Sequence, residues 1–148
     1  MSEQAPISRR GLARRMTVQA VYHWLVNETA PEKLLQQFRD DPGLGRADGE
    51  YFNELLNGTV REAAVLDVLI TPLLDRPLAQ LDPVEHAVLL TAGFELAHKP
   101  DVPWRVVVNE AVNLAKLFGA EEGYKFVNGV LDKLARQLRA TEIAAPPP

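Results

Sequence analysis

The chain has 148 residues, 47% of them hydrophobic and 24% charged, with a formal net charge of −4. That is enough apolar material for one sizeable core, which excludes wholesale disorder, and the acidic balance excludes a protein that coats nucleic acid by bulk charge. Cysteine is absent, so disulfide and thiol chemistry are excluded and a reducing, cytoplasmic setting fits.

The charge is unevenly spread. Arg9, Arg10, Arg14 and Arg15 against Glu3 give the first fifteen residues a formal +3 and leave −7 for the remainder. These arginines interrupt any apolar run that could read as a signal peptide, and no run approaches the roughly 18 apolar residues of a membrane span. Residues 1–8 read as a flexible tail. A helix is expected over 9–26, with Ala13, Met16, Ala20, Val21, Trp24 and Leu25 on one stripe. Its other side, Arg15, Val18, Gln19, Tyr22 and Val26, is half apolar, so either another helix of this chain or a partner covers it.

Pro31 suits the first position of a short helix through Arg39, and Asp41-Pro42-Gly43-Leu44-Gly45 reads as a loop. Asp48 can cap a long helix from Gly49 to about Leu74, in which Gly58 marks either a kink or a close neighbour. Residues 75–82 form a linker and the best boundary between two halves, about 9–74 and 83–139. Asp82-Pro83-Val84-Glu85 is a strong helix start, with Asp82 as cap and Glu85 placed to reach back to it. That helix runs to about His98. After the turn Lys99-Pro100-Asp101-Val102-Pro103, Val106-Val107-Val108 favours strand on propensity. The helical spacing of Val108, Val112 and Ala115 favours helix, and helix is the reading adopted.

Gly119 reads as a left-handed helix stop, with Glu121 and Glu122 in the first turn of a last helix that ends near Arg139. Val127, Val130, Leu131, Leu134 and Leu138 share its core stripe. Phe126 falls beside that stripe, near Glu122, Gly129 and Lys133, as either a core-edge residue or a binding platform. Residues 140–148 read as a disordered tail. No fixed-period repeat or alternating strand is found, and the fold class expected is all-α with about seven helices.

Catalytic and metal signatures are missing from the sequence. His23, His86 and His98 lack metal-site spacing, and neither a nucleophile elbow nor a phosphate-cradling loop occurs. No enzyme activity, metal or cofactor is expected. Glu95 and Glu110 are candidates for buried pairing with a lysine or arginine. What remains is binding: arginines can fork onto phosphates and stack on bases, and Phe126 with Lys125 offers a stacking face beside a cation, as single-stranded nucleic acid requires.

Several blocks then carry a likeness in consistent order. They include Arg14 with Gln19-Ala20-Val21-Tyr22, Tyr51-Phe52 with Leu55-Leu56 and Gly58, Phe94-Glu95-Leu96, and Asn109-Glu110-Ala111-Val112. The most diagnostic is Lys125-Phe126-Val127-Asn128-Gly129-Val130-Leu131-Asp132. From about Arg9 to Leu134 the chain resembles the NusB family of bacterial transcription antitermination factors. The resemblance implies two small helical bundles packed crosswise. It also implies binding of boxA, a short single-stranded element of ribosomal RNA leader transcripts, together with NusE, a small-subunit ribosomal protein. RNA polymerase and other Nus factors complete the assembly, which suppresses premature termination.

Carried over residue by residue, the resemblance points to Arg10 and Arg14, with Arg9 and Arg15 as neighbours, and to Glu122, Lys125 and Phe126 for RNA. It points to Tyr22 and Glu85 for NusE. The chain departs from the family pattern at Leu90, where an arginine is frequent, and at Gly11-Leu12, which breaks the basic run. Two other readings are a NusB-like module related to ribosomal RNA methyltransferases and a purely protein-binding or self-associating helical adaptor. The first is disfavoured because no cofactor-binding domain follows.

Overall fold

The computed structural model describes residues 7–41 and 45–145. Residues 1–6 of the tail expected over 1–8, the loop tip at 42–44 and the last residues 146–148 lie outside the described residues. Seven α-helices and no strands are found among the described residues. They are α1 (Arg9–Asn27), α2 (Pro31–Arg39), α3 (Gly49–Ile70), α4 (Pro83–His98), α5 (Trp104–Phe118), α6 (Gly123–Leu138) and α7 (Ala140–Ala144).

Local chemistry explains most boundaries. Ser8 caps α1 by accepting from the Gly11 N–H at 2.9 Å, and a Cβ at Gly11 would come within 3.0 Å of Ser8 Oγ. The Gly11 interruption of the basic run thus lies at a crowded point against the cap, beside Ser8 and Ile7. Asp48 and Asp82 cap α3 and α4 as expected, Asp82 accepting from both Val84 and Glu85. The long α3 stops at Ile70, four residues short of the expected end, and a 3-10 turn over Thr71–Leu73 follows. Pro72 has no N–H with which to continue the α-helical ladder.

Three expectations are corrected. Gly119 does end α5, but in extended backbone (φ −88°, ψ 175°). Glycine is needed there because a Cβ would lie 2.7 Å from the Ala115 carbonyl oxygen. The left-handed residue is Glu122, at φ 73°, so Glu121 and Glu122 precede α6 instead of filling its first turn. Residues 140–144 are helical, not disordered. Buried Arg139 holds that end down by donating to the carbonyls of Leu96 (2.7 Å), Val102 (2.9 Å) and Lys99 (2.8 Å), and to Glu142 of α7.

The helix α4 is the axis of the molecule. It packs against α1 and α3 on one side and α5 and α6 on the other, and its Ala87 to Leu90 are buried. Its buried residues are mostly apolar, as an enclosed helix requires, with Glu85, Thr91 and Glu95 as the buried polar exceptions. The α1 helix is covered on two sides by its own chain, through α3 and α4 and partly α5. Gly58 marks a close neighbour: an added Cβ would sit 2.1 Å from the Phe94 ring. Leu90, at 0% exposure, belongs to the core, so that departure from the family pattern alters packing inside the molecule.

Candidate nucleic-acid interface

The four N-terminal arginines have different fates. Arg9 and Arg10 are exposed on the first turn of α1. The Arg10 guanidinium lies 4.2 Å from the centre of the Tyr51 ring and 3.6 Å from Asp101, so it is held in place at the surface. Arg15 lines a groove between α1 and α5 with Ile7, Ser8, Gly11, Asn113 and Leu117.

Arg14 is placed otherwise than expected. Only 5% of it is exposed, and its Nε donates to both oxygens of Glu95, at 2.8 and 3.0 Å. The Tyr51 hydroxyl donates to the same carboxylate at 2.5 Å. Burial alone would lower the Arg14 pKa, but the hydrogen bond and charge of Glu95 outweigh it and hold the guanidinium above its usual value. Burial, then the Glu95 charge, pushes the Tyr51 phenol well up. Arg14 is a structural cation beneath the basic surface and leaves the set of candidate phosphate contacts. Glu95 is therefore the buried acid that the sequence offered without its partner.

The second cluster gathers at the start of α6. Phe126 is half-buried beside the core stripe of Val127, Val130, Leu131 and Leu134. The Arg76 guanidinium lies over its ring, 4.3 Å from the centroid. Asp75 takes Arg76 Nε at 2.6 Å and Nη2 at 3.2 Å. The short ion pair of Glu122 with Lys125 stands next to it on the surface. A left-handed conformation at a non-glycine residue costs about 1–2 kcal/mol, so Glu122 carries backbone strain at this site. Gly129, one helical turn beyond Phe126, is exposed, and a Cβ there would meet nothing within 4 Å. Among the described residues, no neighbouring helix packs closely against Gly129. Arg76 escaped the sequence reading because it lies in a linker with no periodic signal, 50 positions from the ring it covers.

Glu85 joins this cluster to the first turn of α4. It is 6% exposed, and its Oε2 would be 2.9 Å from a Cβ at Gly123. Burial, then the Asp82 charge, raises its pKa, with Arg76 opposing. Its expected bond back to the helix cap is not the contact it makes. A direct partner contact is confined to the small exposed part. Near the start of α4, Leu25, Val26, Leu78, Ala79, Leu81, Pro83 and His86 line a mostly apolar groove. Tyr22, half-buried, lies one turn back on α1. The arginine cluster and the Phe126 cluster sit towards opposite ends of α4. Glu85 and Glu95 mark them, and ten residues of helix separate these by about 15 Å.

Among the described residues, no group of three or more histidine, cysteine or acidic side chains is placed to hold a metal ion. No described helix is long and apolar enough to cross a membrane.

The NusB family model matches residues 12–136. The transcription antitermination protein NusB of Ralstonia nicotianae is 51% identical over 140 residues, covering 95% of this chain and 90% of the relative. That of Burkholderia ambifaria is 50% identical over 138 residues, 93% and 95% of the two chains. Among solved structures, T. maritima NusB aligns with a TM-score of 0.78 at 28% identity, over 91% of this chain and 94% of its own. A crystal structure of antitermination factors NusB and NusE in complex with dsRNA aligns at 0.79 and 28% identity, over 87% and 97%.

Proposed function

The chain belongs to the NusB family, and on that footing we propose that it is a transcription antitermination factor. It binds boxA-type single-stranded RNA of ribosomal RNA leaders jointly with NusE and acts by binding, without catalysis. The observation that carries this reading is Phe126, an aromatic set outside the core stripe and topped by a cation at the surface. Stacking on such a ring tolerates any base, because every base has a π face.

The exposed Arg9 and Arg10 and the groove-lining Arg15 neutralise phosphates, and Lys125 adds charge beside Phe126. Glu122 sets the turn that starts α6 and limits the net positive charge there. The apolar groove at the α1–α4 end, with Tyr22 one turn back on α1, receives NusE. Glu85 supports that surface from beneath and abuts the start of α6, so a partner at one end is mechanically close to the RNA-facing stack. NusE then adds RNA contacts of its own, and the pair engages RNA polymerase and the other Nus factors.

The test is a binding titration of boxA-like and scrambled single-stranded RNA, and of a duplex of the same sequence, with the chain alone and with NusE. The reading expects the heterodimer to prefer boxA-like single strands and to bind them more tightly than the chain alone. Equal affinity for boxA-like and scrambled strands in both states would overturn it.

A further inference from the structure

Resting on that RNA-binding reading, we propose that Arg76 forms, with Phe126, a two-layer stacking platform whose outer plate takes one nucleobase of the bound single strand. The guanidinium sits over the ring with its central carbon 4.3 Å from the ring centroid. Asp75 grips one edge through Nε and Nη2, a fork that fixes the plane as well as the position. The Arg76 side chain remains 38% exposed. With one face on Phe126 and one edge on Asp75, the opposite face and the Nη1 edge are what a ligand can reach.

The local charges indicate which part of the nucleotide that is. Asp75 pairs with Arg76 directly, and the Glu85 carboxylate also acts on it. A guanidinium already paired edge-on with a carboxylate has less net charge to offer a phosphate. It keeps its planar face, and arginine planes stack on unpaired bases. Gly129 supplies the clearance. It lies one turn along α6 from Phe126, on the same side, where no side chain stands and a Cβ would meet nothing. A base seated on Arg76 can thus be followed by its sugar across a bare stretch of helix. This gives the exposed glycine a role that helix packing does not.

The experiment compares the wild-type chain, Arg76→Ala and Arg76→Lys, each with NusE, in titrations against boxA-like RNA at two salt concentrations. A set of the same RNAs carries a single abasic nucleotide at successive positions. Arg76→Ala should weaken binding roughly 5- to 150-fold, the range for losing one stacked base. Arg76→Lys should weaken it nearly as much with an unchanged salt slope, because lysine keeps the charge and loses the plane. At one abasic position, wild type and Arg76→Ala should bind alike. Full rescue by lysine would make Arg76 a charge contact and overturn the stacking role. So would unchanged or tighter binding by Arg76→Ala, or an abasic series in which the difference persists at every position. A wild-type complex that does not prefer boxA-like RNA would instead overturn the antitermination reading and this inference with it.

Discussion

Arg14→Ala should damage the fold and spare the RNA site. Arg14 and Glu95 are 5% and 2% exposed, and the Arg14 Nε reaches both carboxylate oxygens. Removing the arginine leaves a buried carboxylate with the Tyr51 hydroxyl as its remaining close donor. Breaking one side of a buried pair costs about 3–5 kcal/mol, against a total stability of about 5–15 kcal/mol for a domain. At about 2–4 °C per kcal/mol for this chain length, the thermal midpoint should fall by roughly 6–20 °C. Thermal unfolding followed by the helical circular dichroism signal measures this. RNA titrations run well below the lowered midpoint should show the salt slope of the wild type. The surface variant Arg15→Ala should do the reverse, leaving the midpoint within about 0.5 kcal/mol of wild type and flattening the salt slope by about 0.7, one phosphate contact on a single strand. The reasoning is refuted if Arg14→Ala keeps the wild-type midpoint while its RNA salt slope flattens.

Phe126→Ala should weaken RNA binding by about 1–3 kcal/mol while NusE binding and the helical signal are retained, read by titration and circular dichroism. Gly58→Ala should destabilise by about 1–3 kcal/mol through overpacking against Phe94, whereas Gly129→Ala should stabilise by up to about 1 kcal/mol; denaturant unfolding separates the two. Glu85→Gln addresses a carboxyl whose folded pKa is raised, first by burial and then by Asp82. Such an acid binds its proton more tightly folded than unfolded, so stability falls as pH rises from the unfolded value through the raised folded one. The variant should lack that fall, matching wild type at acid pH and exceeding it at neutral pH in unfolding measured across the range.

The helices were legible because their signals are local. Asp48, Pro31 and the Asp82-Pro83 pair mark starts by backbone chemistry that needs no tertiary partner, and α6 carries its core stripe in plain spacing. Even Val106-Val107-Val108, strand-like by propensity, yielded to the helical spacing of the residues after it. The failures needed information from far along the chain. Arg14 looked like part of a basic run, yet it shares helical spacing with Val18 and Val21, both buried. That spacing was the available sign that it turns inward, and its partner Glu95 is 81 positions away. Arg76 over Phe126 had no such sign. The α7 helix depends on Arg139 reaching four carbonyls and Glu142, a hub that composition in a proline-ended tail cannot reveal. At the candidate site, sequence supplied Phe126, Lys125 and the basic segment. The structure supplied the sorting of the arginines and the second layer on the aromatic ring.

Terminator read-through tests the central claim most directly. A reconstituted transcription reaction contains RNA polymerase, NusE, the other Nus factors and this chain, on a template with a boxA-type leader upstream of a terminator. The account predicts that adding the chain raises the full-length fraction on this template and leaves it unchanged when boxA is scrambled. An equal full-length fraction with and without the chain on the boxA template would contradict it.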